Sequence, residues 1–215
     1  VWGKGKDERI FSLLIFHFLK MIPISILAGG LGTRLRPITE TIPKSLLEVA
    51  GEPFIAHQLR ELARQGIQNV VICVGFLGEQ IEEYVKDGSG FDVRVQYSYE
   101  TQNLLGTGGA IKKALPLLGD EFFVLYGDSW LDIDYRLAYE SFQNSGKTAL
   151  MTVFRNEGRW DTSNVEMDGE RIKLYSKTKQ NPRMTHIDYG LGILKPNIFE
   201  QHLEGANFDL SEIYE

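Results

Sequence analysis

The sequence predicts an α/β domain: a doubly wound, mostly parallel sheet with a smaller lobe attached to it. Three observations carry that expectation. Apolar strand-like runs alternate with amphipathic helix-like segments as far as Phe154, the order that builds a sheet from strand–helix units. Runs such as V-V-I-C-V are continuously apolar instead of alternating, as a sheet covered on both faces requires. Finally, a glycine-rich turn, a second glycine cluster and an acidic residue each fall just beyond such a run, where ligands bind in open α/β sheets.

Taken in order, the first twenty residues stand apart. Lys4, Lys6 and Arg9 precede the apolar run Ile10 to Leu19, an order shared with signal peptides, but no small-x-small cleavage pattern follows and the run is too short to span a bilayer. Met21 reads as a natural start, with residues 1–20 as an upstream extension and 21–215 as the domain. Strands are expected at 22–28, 69–75, 93–98, 121–126 and 147–154, and helices at 53–65, 78–86, 108–118 and 134–145. The helix at 53 is signalled by Pro53 in its first turn, by Ile55, Leu59 and Leu62 at helical spacing, and by Gly66 at its C-terminal cap. After Phe154 the segments 164–167, 171–175 and 186–194 read as shorter strands with polar turns between them, a second lobe on the same sheet. The ending N-F-D-L-S-E-I-Y-E reads as the opening of a helix capped by Asp209 or Ser211, so the domain is expected to continue past residue 215.

Composition narrows the partners. With 215 residues, 43% hydrophobic and 24% charged, the chain can bury one ordinary core, which excludes disorder and a coiled coil. A net charge of -6 speaks against a nucleic-acid or anionic-membrane partner, which select basic surfaces. The single cysteine, Cys73, excludes a disulfide framework, fits a reducing compartment such as the cytoplasm, and reads as a small buried hydrophobe. A homo-oligomer is compatible with all of this.

The most informative stretch is I-L-A-G-G-L-G-T-R-L-R-P-I-T-E-T-I-P-K-S at 26–45. Gly29, Gly30 and Gly32 allow a sharp bend and a close backbone approach, so that amides converge on an anion, with Arg34 and Lys44 to neutralise it. A nucleoside triphosphate or similar polyanion fits. Two commoner phosphate motifs fail: G-x-G-x-x-G would need glycine where Leu35 stands, and a Walker loop would need glycine at Thr39. Leu35 also disfavours a dehydrogenase. Arg36 reads as a loop-supporting charge. In Y-G-D at 126–128, Asp128 sits at a strand's carboxyl end and suits a hard cation such as Mg2+. Asp132 and Asp134 read as turn and helix-cap residues.

The segment L-A-G-G-L-G-T-R-L-R-P-I-T-E-T-I-P-K-S-L-L-E-V-A-G-E-P resembles the signature of the sugar-1-phosphate nucleotidylyltransferases, and the resemblance continues over about residues 22–215. It implies a Rossmann-like, glycosyltransferase-A-like nucleotidyltransferase fold. It also implies a magnesium-dependent exchange of a sugar 1-phosphate and a nucleoside triphosphate for a nucleotide sugar and pyrophosphate. By their places in the motif, Arg34 and Lys44 match the residues that hold the reacting phosphates, and Asp128 matches the first metal ligand. Nucleotide contacts are implied for Leu27, Ala28, Gly29, Gly30, Gly32 and Thr33, for Glu100 at a base-reading position, and for Gly106 and Thr107 of L-G-T-G-G-A against base and ribose. Lys177 matches the lysine on the sugar phosphate, although the family's flanking Glu and Pro are absent. H-I-D-Y-G-L-G-I-L resembles the family's sugar-binding strand, which implies that Asp188 and Gly190 face the sugar hydroxyls, while His186 reads as a strand-start residue. W-D-T-S-N at 160–164 is a candidate to close over the sugar. The family's second metal carboxylate comes from a strand after the final helix, which is not reached by residue 215. The short chain with G-T-G-G and Y-G-D resembles muramate-phosphate uridylyltransferases and heptose-phosphate guanylyltransferases, which leaves base and sugar open. The competing expectation is a truncated or non-catalytic homologue that binds nucleotide without chemistry.

Overall fold

The computed structural model describes residues 21–100 and 104–214, so the expectation for residues 1–20 lies outside the described residues. In chain order the elements are β1 (Ile24–Leu27), β2 (Glu48–Val49), β3 (Glu52–Pro53), α1 (Phe54–Arg64), β4 (Asn69–Val74), α2 (Gly78–Val85), β5 (Arg94–Tyr99), α3 (Gly106–Leu118), β6 (Phe122–Tyr126) and α4 (Tyr135–Ser145). The remainder are β7 (Ala149–Arg155), β8 (Val165–Asp168), β9 (Arg171–Tyr175), β10 (His186–Leu194) and α5 (Ser211–Tyr214). Each expected strand and helix is present with its ends moved by at most two residues. The short β2–β3 hairpin and several 3-10 turns are additions that periodicity does not reveal.

One eight-stranded sheet runs in the order β5-β4-β1-β6-β10-β8-β9, with β7 pairing β10. The strands β5, β4, β1 and β6 are parallel. From β6 onward the pairing is antiparallel, so the second lobe is a continuation of the sheet. Because successive strand residues point to opposite faces, each central strand feeds two cores. Ile24, Ile26, Ile72, Phe123 and Leu125 pack under α1, α2 and α4 through Ile55, Leu59, Leu62, Ile81, Tyr135 and Phe142. Val71, Cys73, Phe122 and Val124 pack under α3 through Ala110, Ile111, Ala114 and Leu118. Cys73 is buried, 3.3 Å from the Ser25 hydroxyl, and burial pushes its thiol up to about 12.

Helix ends follow their local chemistry. Gly66 takes a positive φ of 80° just past α1, and Asp134 caps α4 by accepting the Arg136 N–H at 2.9 Å. The start of α3 is unusual. Its free N–H groups at Gly108 and Gly109 donate to the Phe208 carbonyl at 3.0 and 3.4 Å, and Phe208 N–H returns a bond to Leu105 O at 3.0 Å. A Cβ on Gly108 would stand 2.3 Å from the Phe208 ring, and one on Gly109 would stand 2.4 Å from Ala206 O. The glycines of G-T-G-G therefore let residues 206–210 lie against the helix start.

The Ala206 carbonyl is backbone and cannot swing aside, so Gly109→Ala is expected to destabilise the fold by about 1–3 kcal/mol. The urea midpoint should fall with the slope unchanged. An unshifted midpoint would show that the 206–210 segment is not seated on α3.

Candidate active site

A cleft of about 350 Å³ opens at the carboxyl ends of β1, β5 and β6. Its floor is made by backbone that comes unusually close. Ala28 N–H donates to Cys73 O and Gly127 N–H to Leu27 O, each at 2.9 Å, extending the sheet by one residue on both sides of β1. A Cβ on Gly75 would lie 2.9 Å from Gly29 O, and one on Gly127 would lie 2.7 Å from Leu27 O. Only glycine permits these approaches.

Past Gly29 the chain does not enter an α-helix, which is the structural counterpart of the failed dinucleotide and Walker motifs. Gly32 adopts a φ of 58°, and its carbonyl accepts the Thr39 hydroxyl at 2.9 Å. Thr39 is 2% exposed, so this bond clamps the loop from beneath. Three 3-10 turns, Thr33–Leu35, Ile38–Glu40 and Lys44–Leu46, carry the chain around the rim and return Lys44 to the cleft. Arg36 lies beside Glu40 at 3.9 Å, consistent with a loop-supporting charge.

Lys44 donates to Asp128 Oδ2 across the cleft. Their side chains are 39% and 45% exposed, and such a pair contributes about 0–1 kcal/mol, so phosphate oxygens or a cation displace it at little cost. The turn bearing Asp128 is held by Gln58 of α1, whose amide donates to Tyr126 O at 3.0 Å and Ser129 O at 2.8 Å. Glu100 is half-buried between the two glycine segments: it accepts the Leu105 N–H at 2.5 Å, and its other oxygen stands over Gly29. Burial pushes its carboxyl above the usual range, against the lowering effect of the Leu105 bond.

The structure thus gathers Leu27, Ala28, Gly29, Gly30, Gly32, Thr33, Arg34, Lys44, Glu100, Gly106, Thr107 and Asp128 around one cleft. Lys177, Asp188 and Gly190 belong to the adjoining lobe. There β10 breaks its register between Asp188 and Gly192, and Gly190 takes a φ of 99°. A Cβ on Gly190 would stand 2.9 Å from Ser129 Oγ, so this bulge passes directly beside the Asp128 turn. Asp188 accepts the Gly190 N–H at 2.9 Å, and burial raises its carboxyl above the usual range. Tyr126 joins the two regions, lining the cleft while its phenol, pushed up by burial, feels Asp188 and Asp209. Trp160 is 81% exposed, on a loop organised by the buried Asn156, and borders a separate open groove with Pro182 and Thr185.

Three residues escaped the sequence reading as parts of the site: Thr39, Gln58 and Asp209. Gln58 left a signal, since it interrupts the apolar stripe of Ile55, Leu59 and Leu62 on the buried face of α1. Among the described residues no group of three or more His, Cys, Asp or Glu side chains converges on a point. Asp128 alone is a donor that suits a hard cation whose other ligands are oxygens.

A parallel sheet extended by an antiparallel lobe, with a backbone-floored and partly cationic cleft at the ends of the parallel strands, defines an α/β class suited to an anionic ligand. Residues 24–208 match the nucleotidyl transferase family, and the chain belongs to it. It is 46% identical over 117 residues to the N-acetylmuramate alpha-1-phosphate uridylyltransferase of Neisseria meningitidis, a stretch covering 54% of this chain and 51% of that one. It is 34% identical to the D-glycero-alpha-D-manno-heptose 1-phosphate guanylyltransferase of Campylobacter jejuni, over 87% of this chain and 82% of that one. Among solved structures, HddC from Yersinia pseudotuberculosis complexed with GMP-PN superposes with a TM-score of 0.72 at 27% identity, covering 88% of this chain and 83% of that one. Among the described residues, no helix is long and apolar enough to cross a membrane.

The raised Glu100 carboxyl has a consequence for pH. Its stabilising contribution is complete below the usual 4.5 and is lost as pH rises through its higher folded value, so the ionised form weighs on the fold at neutral pH. Glu100→Gln is therefore expected to gain stability relative to the unaltered protein between about pH 4 and about pH 7. Denaturant midpoints at the two pH values test this, and an equal difference at both would refute it.

Proposed function

We propose that the protein transfers a nucleotidyl group from a nucleoside triphosphate to a sugar 1-phosphate, releasing pyrophosphate, in the cytoplasm. The observation that carries this reading is the convergence of Arg34, Lys44 and Asp128 on one glycine-floored cleft directly beside the Asp188–Gly190 bulge. The relatives' names support the same class of substrates.

In this reading an oxygen of the sugar phosphate attacks the α-phosphorus in line, the α–β phosphoanhydride bond breaks, and the bridging electrons leave with pyrophosphate. Little covalent work falls to the protein, whose task is to hold two polyanions together. Arg34 offers a planar fork of donors to the triphosphate, and Lys44 exchanges Asp128 for phosphate oxygens. Asp128, freed of Lys44, would hold Mg2+, which supplies neutralisation of the charge that builds on the phosphates. Glu100, with the backbone of Leu27 to Gly29, faces the base, and Gly106 and Thr107 face the ribose. Lys177 and Asp188 take the sugar phosphate and hydroxyls.

Pyrophosphate release by the full-length protein, measured with UTP or GTP against muramate and heptose 1-phosphates with magnesium, tests the proposal. Absence of turnover with every pair would defeat it. Arg34→Ala, Lys44→Ala and Asp128→Asn are each expected to lower turnover by about a hundredfold or more, with thermal midpoints near that of the unaltered protein. Unfolding of a variant with nucleotide affinity intact in the folded fraction would remove that residue from the assignment.

A further inference from the structure

Asp209 lies outside the motif residues, yet its Oδ1 accepts from Lys177 Nζ at 2.7 Å. The aspartate is fixed from several directions. Its Oδ1 also accepts the Ser211 N–H at 2.8 Å, and its own N–H donates to Glu212 Oε1 at 3.1 Å, a reciprocal cap on α5. On either side, Phe208 N–H donates to Leu105 O at 3.0 Å and Leu210 N–H donates to the Thr107 hydroxyl at 2.8 Å. Burial works against its charge, but hydrogen bonds from Lys177 and Ser211 hold its carboxyl below the usual range. Lys177 is held less firmly. It follows Ser176 in the loop beyond β9, and although the Lys177 and Asp209 side chains are similarly exposed, at 41% and 45%, a free lysine spreads over many more rotamers.

We propose that Asp209 is a positioning residue that fixes the Lys177 ammonium in the acceptor lobe, beside Asp188, for the phosphate of a sugar 1-phosphate. The inference rests on the nucleotidyl-transfer reading above. An ammonium carries three donors, so the bond to Asp209 leaves two for the incoming phosphate. The neighbouring bonds give the arrangement its reach. Leu210 and Phe208 anchor the same segment to Thr107, Gly108 and Gly109, so the ammonium is set at a fixed place relative to the nucleotide cleft. The opposite arrangement, in which Asp209 competes with phosphate for Lys177, predicts the opposite sign on removal.

Asp209→Asn keeps an oxygen for the Ser211 cap while removing the charge, so it separates positioning from folding. In steady-state assays of the full-length protein the KM for sugar 1-phosphate is expected to rise about threefold to fivefold, or up to about 1 kcal/mol. The KM for the triphosphate should stay within about twofold, with an unshifted melting temperature. In a Lys177→Met background the added Asp209→Asn change should cost nothing more, because the aspartate acts through the lysine. An unchanged or lowered KM for the sugar phosphate, or additive effects in the double variant, would overturn the inference while turnover by the unaltered protein leaves the reaction intact. No turnover by the unaltered protein would sink the reaction and the inference together.

Discussion

The approach of backbone to backbone at the carboxyl end of β1 is the constraint on which the rest of the site depends. Gly29 lies against Gly75 on one side, and Gly127 lies against Leu27 and Ala28 on the other. Side chains at these positions would push the strand ends apart and fill the floor of the cleft. Without them, peptide groups reach the space where a ligand would sit, and the rim turns place Arg34 and Lys44 opposite Asp128. Backbone dipoles held this firmly need no reorganisation when charge arrives, which is why such floors suit polyanions.

A second layer of order comes from β10. Its C-terminal part pairs with β6 over Leu191–Leu194, its N-terminal end pairs with β8 at His186, and β7 pairs with both parts. The bulge between these parts carries Asp188 and Gly190 past Ser129. Two regions that could have been separate domains are thus joined by one strand. The C-terminal segment closes the circuit from the other face, with Phe208 on α3 and Asp209 on Lys177. Cleft and lobe are held at a fixed spacing by hydrogen bonds from both sides.

The sequence made the local features legible. Strand and helix positions followed from periodicity, the turns from glycine and proline, and the cleft residues from the motif at 26–45 together with two short segments, at 105–110 and 126–128, and Glu100, which the family resemblance brought to the same site. Long-range partnerships were hidden. Gln58 and Ser129 are 71 residues apart and Lys177 and Asp209 are 32 apart, and no local pattern encodes such pairings. The glycines of L-G-T-G-G-A show the difference well. The family resemblance implied a nucleotide contact for them, and Gly106 does line the cleft, but the reason for glycine at 108 and 109 is the Phe208 segment, which arrives a hundred residues later. The β2–β3 hairpin escaped because two-residue strands have no measurable period.

Cys73 gives the molecule a built-in reporter. It is the chain's single thiol, it lies on β4 beneath α3, and its proton is held too tightly to yield a thiolate near neutrality. An alkylating reagent reaches that buried sulfur through global unfolding or through local opening of α3, which carries the G-T-G-G start and the 206–210 segment with it. The rate of labelling therefore counts openings of the wall shared by cleft and lobe, and whatever ties that wall down slows the count.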